Sequence, residues 1–217
     1  VGSAYLLQKP AIFRKKQDGS IPFYVRWLFI PFLVGVQLYN AWARKHDKVP
    51  AIQKIDDDLY LACRLFPSDV EYLQGQNVKA ILDVTAEFDG LDWTATSEEL
   101  AYLNVPVLDH QSPNEEDLLS AVNWIDNQRR AKRGVVVHCA LGRGRSVLVM
   151  AAYILSKNPQ MSVRQAIAKI QDVRETARLN SHQLRALCKV FEQGKLTPKE
   201  PTWLIANPVS GAGKWPE

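Results

Sequence analysis

Cys139 and Arg145 stand six residues apart in the stretch GVVVHCALGRGRS, residues 134–146, with His138 before the cysteine, Gly142 and Gly144 between them and Ser146 after. The apolar run Val135 to His138 predicts a short buried strand, and RSVLVMAAYILSK predicts a helix that starts near Arg145. A strand that delivers a thiol to a Gly-containing loop at a helix N-terminus is a place to bind and attack a phosphate, because loop N–H groups and the helix dipole favour an anion there. Arg145 can return its planar fork to the same phosphate. A cysteine attacks as thiolate, and a free thiol near neutral pH is mostly protonated. The loop dipoles, the following helix and Arg145 all stabilise a negative sulfur. His138 is read as holding the loop by hydrogen bonds rather than as a base. Attack on phosphorus would give a cysteinyl-phosphate. Its non-bridging oxygens would stay in a cradle formed by the loop from Ala140 through Leu141, Gly142, Arg143 and Gly144, closed by Arg145. Ser146 can donate to the sulfur as it leaves. No metal or other cofactor is required.

The leaving alcohol needs a proton, and a carboxylic acid on a nearby loop can give it and then take one from water. Asp109 ends the run VPVLD, residues 105–109, read as a strand. Strand ends at the carboxyl edge of a sheet share a crevice, which makes Asp109 the candidate acid. Asp83, Asp89, Asp92 and Asp117 are other acids nearby, and Asp83 is read as structural.

The elements that must position these residues follow from the pattern around them. Short strands are expected around Ile55 and over Tyr60–Ala62. Ser68 to Glu71 reads as a capping box opening a helix that ends at Gly75. VKAILDV, 78–84, is an apolar run of buried-strand type, and residues 85–99 read as a loop with a short helix. A helix is expected from Pro113 and Asn114 to about Arg130, and two more over SVRQAIAKIQDVR and SHQLRALCKVFEQ. Strands alternating with helices imply an α/β fold with a central mixed, mostly parallel sheet flanked by helices.

Residues 1–50 differ. Ile21 to Ala43 carries Arg26 as its single charge, with Trp27, Tyr39 and Trp42 near the ends of the uncharged part. This predicts an N-terminal apolar helix over 21–43 that spans or docks on a membrane. Basic residues flank it on both sides, so charge does not fix its orientation. Residues 51–197 read as the catalytic domain and 198–217 as a Pro-containing linker followed by LIANPVSGAGK. The net charge of +4 suits anionic substrates or an anionic membrane face but is too small to indicate nucleic acid. Three cysteines do not make a disulfide framework, so a reducing, cytoplasmic placement of the catalytic domain is expected.

HCALGRGRS resembles the His-Cys-x5-Arg-Ser/Thr signature of the dual-specificity phosphatase branch of the protein tyrosine phosphatase superfamily. The likeness runs from about Ile55 to Phe191 and includes LYLA, AILDVT, VPVLD and the closing RLNSHQL. It implies a phosphoric monoester hydrolase with Cys139 as nucleophile, Arg145 as phosphate clamp, Asp109 as general acid and Ser146 as thiolate stabiliser. Within that branch the chain is most similar to the phosphatidylglycerophosphate phosphatase type, through TAEFD (85–89), AAYILS, QAIAKI and SHQL. That likeness implies substrate contacts from Glu87 and Phe88, and from Arg143 a second cation suited to an acidic headgroup. Ala140 stands where that group has Lys, and Leu141 where a small residue is usual. The tail resembles the opening of a diacylglycerol-kinase-type lipid kinase domain, which implies a lipid-kinase domain fused downstream. A phospholipid substrate is the leading expectation. A phosphoprotein substrate and a non-catalytic phosphate-binding module are the alternatives.

Overall fold

The computed structural model describes residues 10–16, 19–88 and 100–197. Its sheet has five strands: β1 (Ile52–Asp56), β2 (Leu59–Ala62), β3 (Val78–Asp83), β4 (Ala101–Asn104) and β5 (Gly134–His138). The spatial order is β1-β2-β5-β3-β4, with β1 antiparallel to β2 and the other pairings parallel. This is the mixed, mostly parallel sheet expected from the sequence. β5 lies in the middle, which is why every residue of its GVVVH run is buried.

Side chains alternate across the sheet. Leu59, Leu61, Ala80, Leu82, Val135 and Val137 enter the larger core. That core is closed by helices α3 (Glu115–Arg130), α4 (Arg145–Lys157), α5 (Val163–Val173) and α6 (Ser181–Glu192). Tyr60, Ala62, Ile81 and Val136 point the other way, onto Val70 and Leu73 of α2 (Pro67–Gly75). α4 crosses the larger core and is buried from Arg145 through Ser156. Its all-round apolar sequence therefore has no solvent face. Side-chain caps start three of these helices: Asn114 accepts from Asp117 N–H, Ser162 from Gln165 N–H and Asn180 from Gln183 N–H.

Two expectations shift. The strand predicted over 105–109 lies earlier, at β4, because Pro106 has no N–H to continue a ladder. Val105 N–H still reaches Asp83 O at 2.8 Å, so the chain leaves the sheet extended and delivers Asp109 to the carboxyl edge. The second helix starts at Pro67, and Asp69 rather than Ser68 caps it, accepting from Phe66 N–H at 2.7 Å.

The N-terminal segment forms a short turn, Pro10–Phe13, and then helix α1 (Phe23–His46). No helix among the described residues is long and apolar enough to cross a membrane. This corrects the expected spanning helix. α1 has the length, but Tyr24, Arg26, Gln37, Tyr39 and Asn40 dilute its apolarity, and one of its sides rests on protein. Phe13 is fully buried with Ala86 and Leu108. Lys15 pairs with Asp83 at 2.5 Å, and Arg44 meets Asp69 through both terminal nitrogens at 2.8 and 2.6 Å. Residues 10–16 and 19–46 are thus packed onto the body that begins at β1 through these contacts. Residues 1–9, the acids Asp89 and Asp92, and the tail 198–217 lie outside the described residues.

Candidate active site

Cys139 leaves the end of β5 between the ends of β2 and β3, where Ala62 and Asp83 both pair with His138. Its thiol is buried and accepts from Ser146 Oγ at 3.2 Å. The loop that follows is turned by its carbonyls. Ala140 O accepts from Arg64 N–H at 3.0 Å and Arg143 O from Arg178 N–H at 2.7 Å. Leu141 O and Gly142 O accept from Nη2 and Nε of Arg174, at 3.0 and 2.8 Å. In a planar trans peptide the N–H points opposite to the C=O. Four carbonyls tied outward therefore aim the following amides, Leu141 to Gly144, into the loop as an anion cradle. Gly142 is needed for this turn: its φ is +65°, and a Cβ there would stand 2.7 Å from Ala62 O.

Arg145, the first residue of α4, is buried against Glu87. Its Nη1 donates to Glu87 Oε2 at 2.9 Å and to Val107 O at 2.8 Å, and its Nη2 donates to Glu87 Oε1 at 2.8 Å. Burial works against the guanidinium charge, but the Glu87 carboxylate outweighs it and raises the Arg145 pKa above its ordinary value. Arg145 Nε is buried without a hydrogen-bond partner, a donor left over for an anion. Asp109 Oδ1 lies 3.3 Å from Arg145 Nη2 with its side chain 51% exposed, at the mouth of the site.

These residues open into one cavity of about 1090 Å³. Cys139, Ala140, Leu141, Arg143, Gly144, Arg145 and Asp109 line it from the catalytic side. Tyr39, His46, Asp47 and Lys48 line it from α1 and the turn after it. A buried thiol under an amide cradle, with a fixed guanidinium and a carboxyl group at the rim, can form and hydrolyse a cysteinyl-phosphate.

Residues 59–193 match the family described as dual specificity phosphatase, catalytic domain. The chain belongs to the dual specificity phosphatase family. It is 31% identical over 144 residues to the dual specificity protein phosphatase Mpk3 of Drosophila melanogaster, covering 64% of this chain and 34% of that protein. It is also 31% identical over 144 residues to dual specificity protein phosphatase 1 of Arabidopsis thaliana, covering 66% of this chain and 69% of the relative. The chain thus spans about a third of the fruit-fly relative's length. The crystal structure of PTPMT1 in complex with PI(5)P superposes with a TM-score of 0.60 at 20% identity, over 66% of this chain and 96% of that one. That likeness is one of fold.

Within this dual specificity phosphatase fold the expected site residues fall into two groups. Cys139, Arg145, Ser146, Asp109 and the cradle from Ala140 to Gly144 come together. Glu87 and Phe88 do not line the cavity, which corrects their reading as substrate contacts, and His138, read as holding the loop, does not line it either. His138 is buried beside Asp83; burial lowers its pKa, with Asp83 acting the other way. The carboxylate of Glu87 is taken up by Arg145 and by Ala86 N–H at 3.1 Å. Phe88 is buried with the Arg64 guanidinium 4.6 Å above its ring. Arg143 does line the cavity, but its Nη2 is paired with Asp47 at 3.0 Å, so the extra cation of the loop is partly spent within the protein. Asp83 is structural, as read. Asp117 lies by the N-terminus of α3, in a separate small pocket with Ser112 and His182. Arg174 was not singled out from the sequence. Nothing local marks it, since it stands at the end of α5 and reaches back more than thirty residues to the loop.

Proposed function

We propose that this dual specificity phosphatase hydrolyses phosphate monoesters of phospholipid headgroups at a membrane surface, on its cytoplasmic side. Cys139 Sγ attacks phosphorus as thiolate and the P–O bond to the alcohol breaks. Asp109 supplies the proton that the alcohol takes away. Water then attacks the cysteinyl-phosphate and gives a proton to Asp109. The P–S bond breaks, and Ser146 Oγ–H supports the negative charge that returns to sulfur. The amide cradle and Arg145 hold the three equatorial oxygens through both steps.

The observation that carries the lipid reading is the composite cavity. One wall is the phosphate loop, and the other is the end of α1, a helix with a largely apolar solvent face. PTPMT1, which has the same fold, takes up PI(5)P. The likeness of LIANPVSGAGK to a lipid-kinase opening points the same way, toward a downstream domain acting on lipids. Phosphatidylglycerophosphate and phosphoinositides are the candidate substrates. The thiolate chemistry, which a reducing compartment preserves, supports the cytoplasmic side. A phosphoprotein substrate is the second reading, favoured by the names of the sequence relatives.

Phosphate release by the full chain is the test, measured on phosphatidylglycerophosphate or phosphoinositide vesicles and on phosphotyrosine and phosphothreonine peptides, with Cys139→Ser as control. The lipid reading expects vesicle turnover well above peptide turnover. The reverse order would select the phosphoprotein reading, and release from no monoester would leave only a binding module.

A further inference from the structure

α1 carries apolar side chains on two sides. One side lies on the catalytic body: Val25 and Ala43 are buried, Phe29 packs on Phe13 at 5.5 Å, and Arg44 is clamped to Asp69. The other side presents Phe23, Trp27, Leu28, Val34, Leu38 and Trp42 to solvent, the first three with 76%, 75% and 74% of their surface exposed. Contiguous exposed apolar surface of this kind marks an interaction site.

Charge identifies the occupant. Between Asp18 and Asp47 the sequence contains no acidic residue. Exposed cations flank the face at both ends, Arg14 and Lys16 before it and Lys45 and Lys48 after it. An apolar stripe with aromatic rings at both ends and cations beyond them matches the headgroup zone of an anionic bilayer. A second copy of the chain would bring like charges together.

The face also runs into the catalytic cavity. Trp42 stacks on His46 at 4.9 Å and lies 6.3 Å from Tyr39, and Tyr39 and His46 both line the cavity. The apolar stripe and the active site therefore share one edge.

We infer that α1 lies flat in the headgroup region of an anionic bilayer through its Phe23–Trp42 face, with the catalytic cavity opening onto that surface beside it. What the cavity receives there rests on the phospholipid reading above; the docking does not depend on turnover.

The test uses the full chain, Trp27→Glu/Leu38→Glu, and the milder Trp27→Gln/Leu38→Gln. Sedimentation is measured with phosphatidylcholine vesicles containing or lacking phosphatidylglycerol, and hydrolysis with soluble para-nitrophenyl phosphate. The unaltered chain is expected to sediment with the anionic vesicles and to have its tryptophan fluorescence quenched by brominated lipid. Both double variants should partition at least about tenfold more weakly, as expected when buried apolar area is removed from an interfacial helix, while hydrolysis of the soluble ester is unchanged. Unquenched tryptophans in the unaltered chain, or equal vesicle binding by the variants, would overturn the inference. So would a concentration-dependent dimer, abolished by the substitutions, in a chain that ignores vesicles. Vesicle binding without phosphate release supports the docking and removes the phospholipid substrate, whereas turnover of dispersed short-chain lipid without vesicle binding does the opposite.

Discussion

Glu87 and Arg145 meet as a two-pronged ion pair, 2.8 and 2.9 Å apart, with both side chains buried under the phosphate loop. The pair fixes the plane of the guanidinium before any phosphate arrives. Removing one partner of a buried pair leaves an uncompensated charge and costs about 3–5 kcal/mol. Glu87→Ala is therefore expected to lower Tm sharply and to depress kcat/KM. Inorganic phosphate, bound in the cradle, replaces part of the missing negative charge. It should raise the Tm of Glu87→Ala more than that of the unaltered chain, and equal shifts in thermal melts would count against the pairing.

Lys15 and Asp83 form a second buried pair, which fastens the N-terminal segment to the end of β3. Asp83 also accepts from Tyr102 Oη at 2.8 Å and from Thr85 Oγ1 at 2.6 Å. Burial alone would raise its pKa, but Lys15 and the hydrogen bonds bring it down to about 2. A carboxyl group with a depressed folded pKa contributes stability above its unfolded value, near 3.9, and loses it as pH falls toward about 2. Lys15→Met should cost about 3–5 kcal/mol at neutral pH by stranding the Asp83 charge. The deficit should shrink as acid protonates Asp83 in the variant. Urea melts at pH 7 and pH 4 measure this, and a pH-independent deficit would show that the lysine contributes packing alone.

Sequence separation governs which of these features are legible in the sequence. Cys139, Arg145 and Ser146 lie in one contiguous stretch whose strand and helix periods surround them, so their chemistry was legible. Asp109 reaches the carboxyl edge as its run implies, yet Pro106 keeps its segment out of the ladder. Glu87 reads as part of an acidic-aromatic loop, but nothing local says that an acid fifty-eight residues before Arg145 is its partner. The strap formed by Phe13 and Lys15 was illegible for the same reason, because its contacts span roughly seventy residues or more. The helix of residues 21–43 is legible as a helix, but the polar residues along it leave it short of the apolarity a spanning helix needs, and which of its sides rests on protein is a tertiary fact.

Arg174 is expected to matter as a positioning residue. It touches no substrate atom in the geometry described, yet its Nε and Nη2 hold the carbonyls of Gly142 and Leu141 outward. Its Nη1 anchors to Pro50 O and Gln53 Oε1. Arg174→Met would free two peptide planes of the cradle. Loss of a preorganised donor to a developing oxyanion costs about 10²–10³ in rate, so kcat should fall into that range. Inhibition by vanadate, which reads the cradle directly, should weaken in parallel. A drop in Tm with unchanged vanadate affinity would make Arg174 a stabilising residue and nothing more.

Asp109 provides the sharpest chemical test, because its role depends on the leaving group. An alkoxide leaving group needs a proton, whereas a nitrophenolate does not. Asp109→Asn keeps the shape of the side chain and removes the transferable proton. Its kcat should fall about 10²–10⁴-fold on alkyl phosphates, the usual contribution of general acid–base catalysis. On para-nitrophenyl phosphate the loss should be much smaller, because only the hydrolysis step still calls on the residue. Cys139→Ser is expected to abolish both. Asp109 also lies 3.3 Å from Arg145 Nη2, so part of any loss could come from a disturbed guanidinium. Vanadate affinity separates the two effects: unchanged binding with a leaving-group-dependent kcat assigns Asp109 to proton transfer. Equal losses on both esters with weaker vanadate binding would assign it to Arg145, and the acid would then have to come from another carboxylate near the cavity.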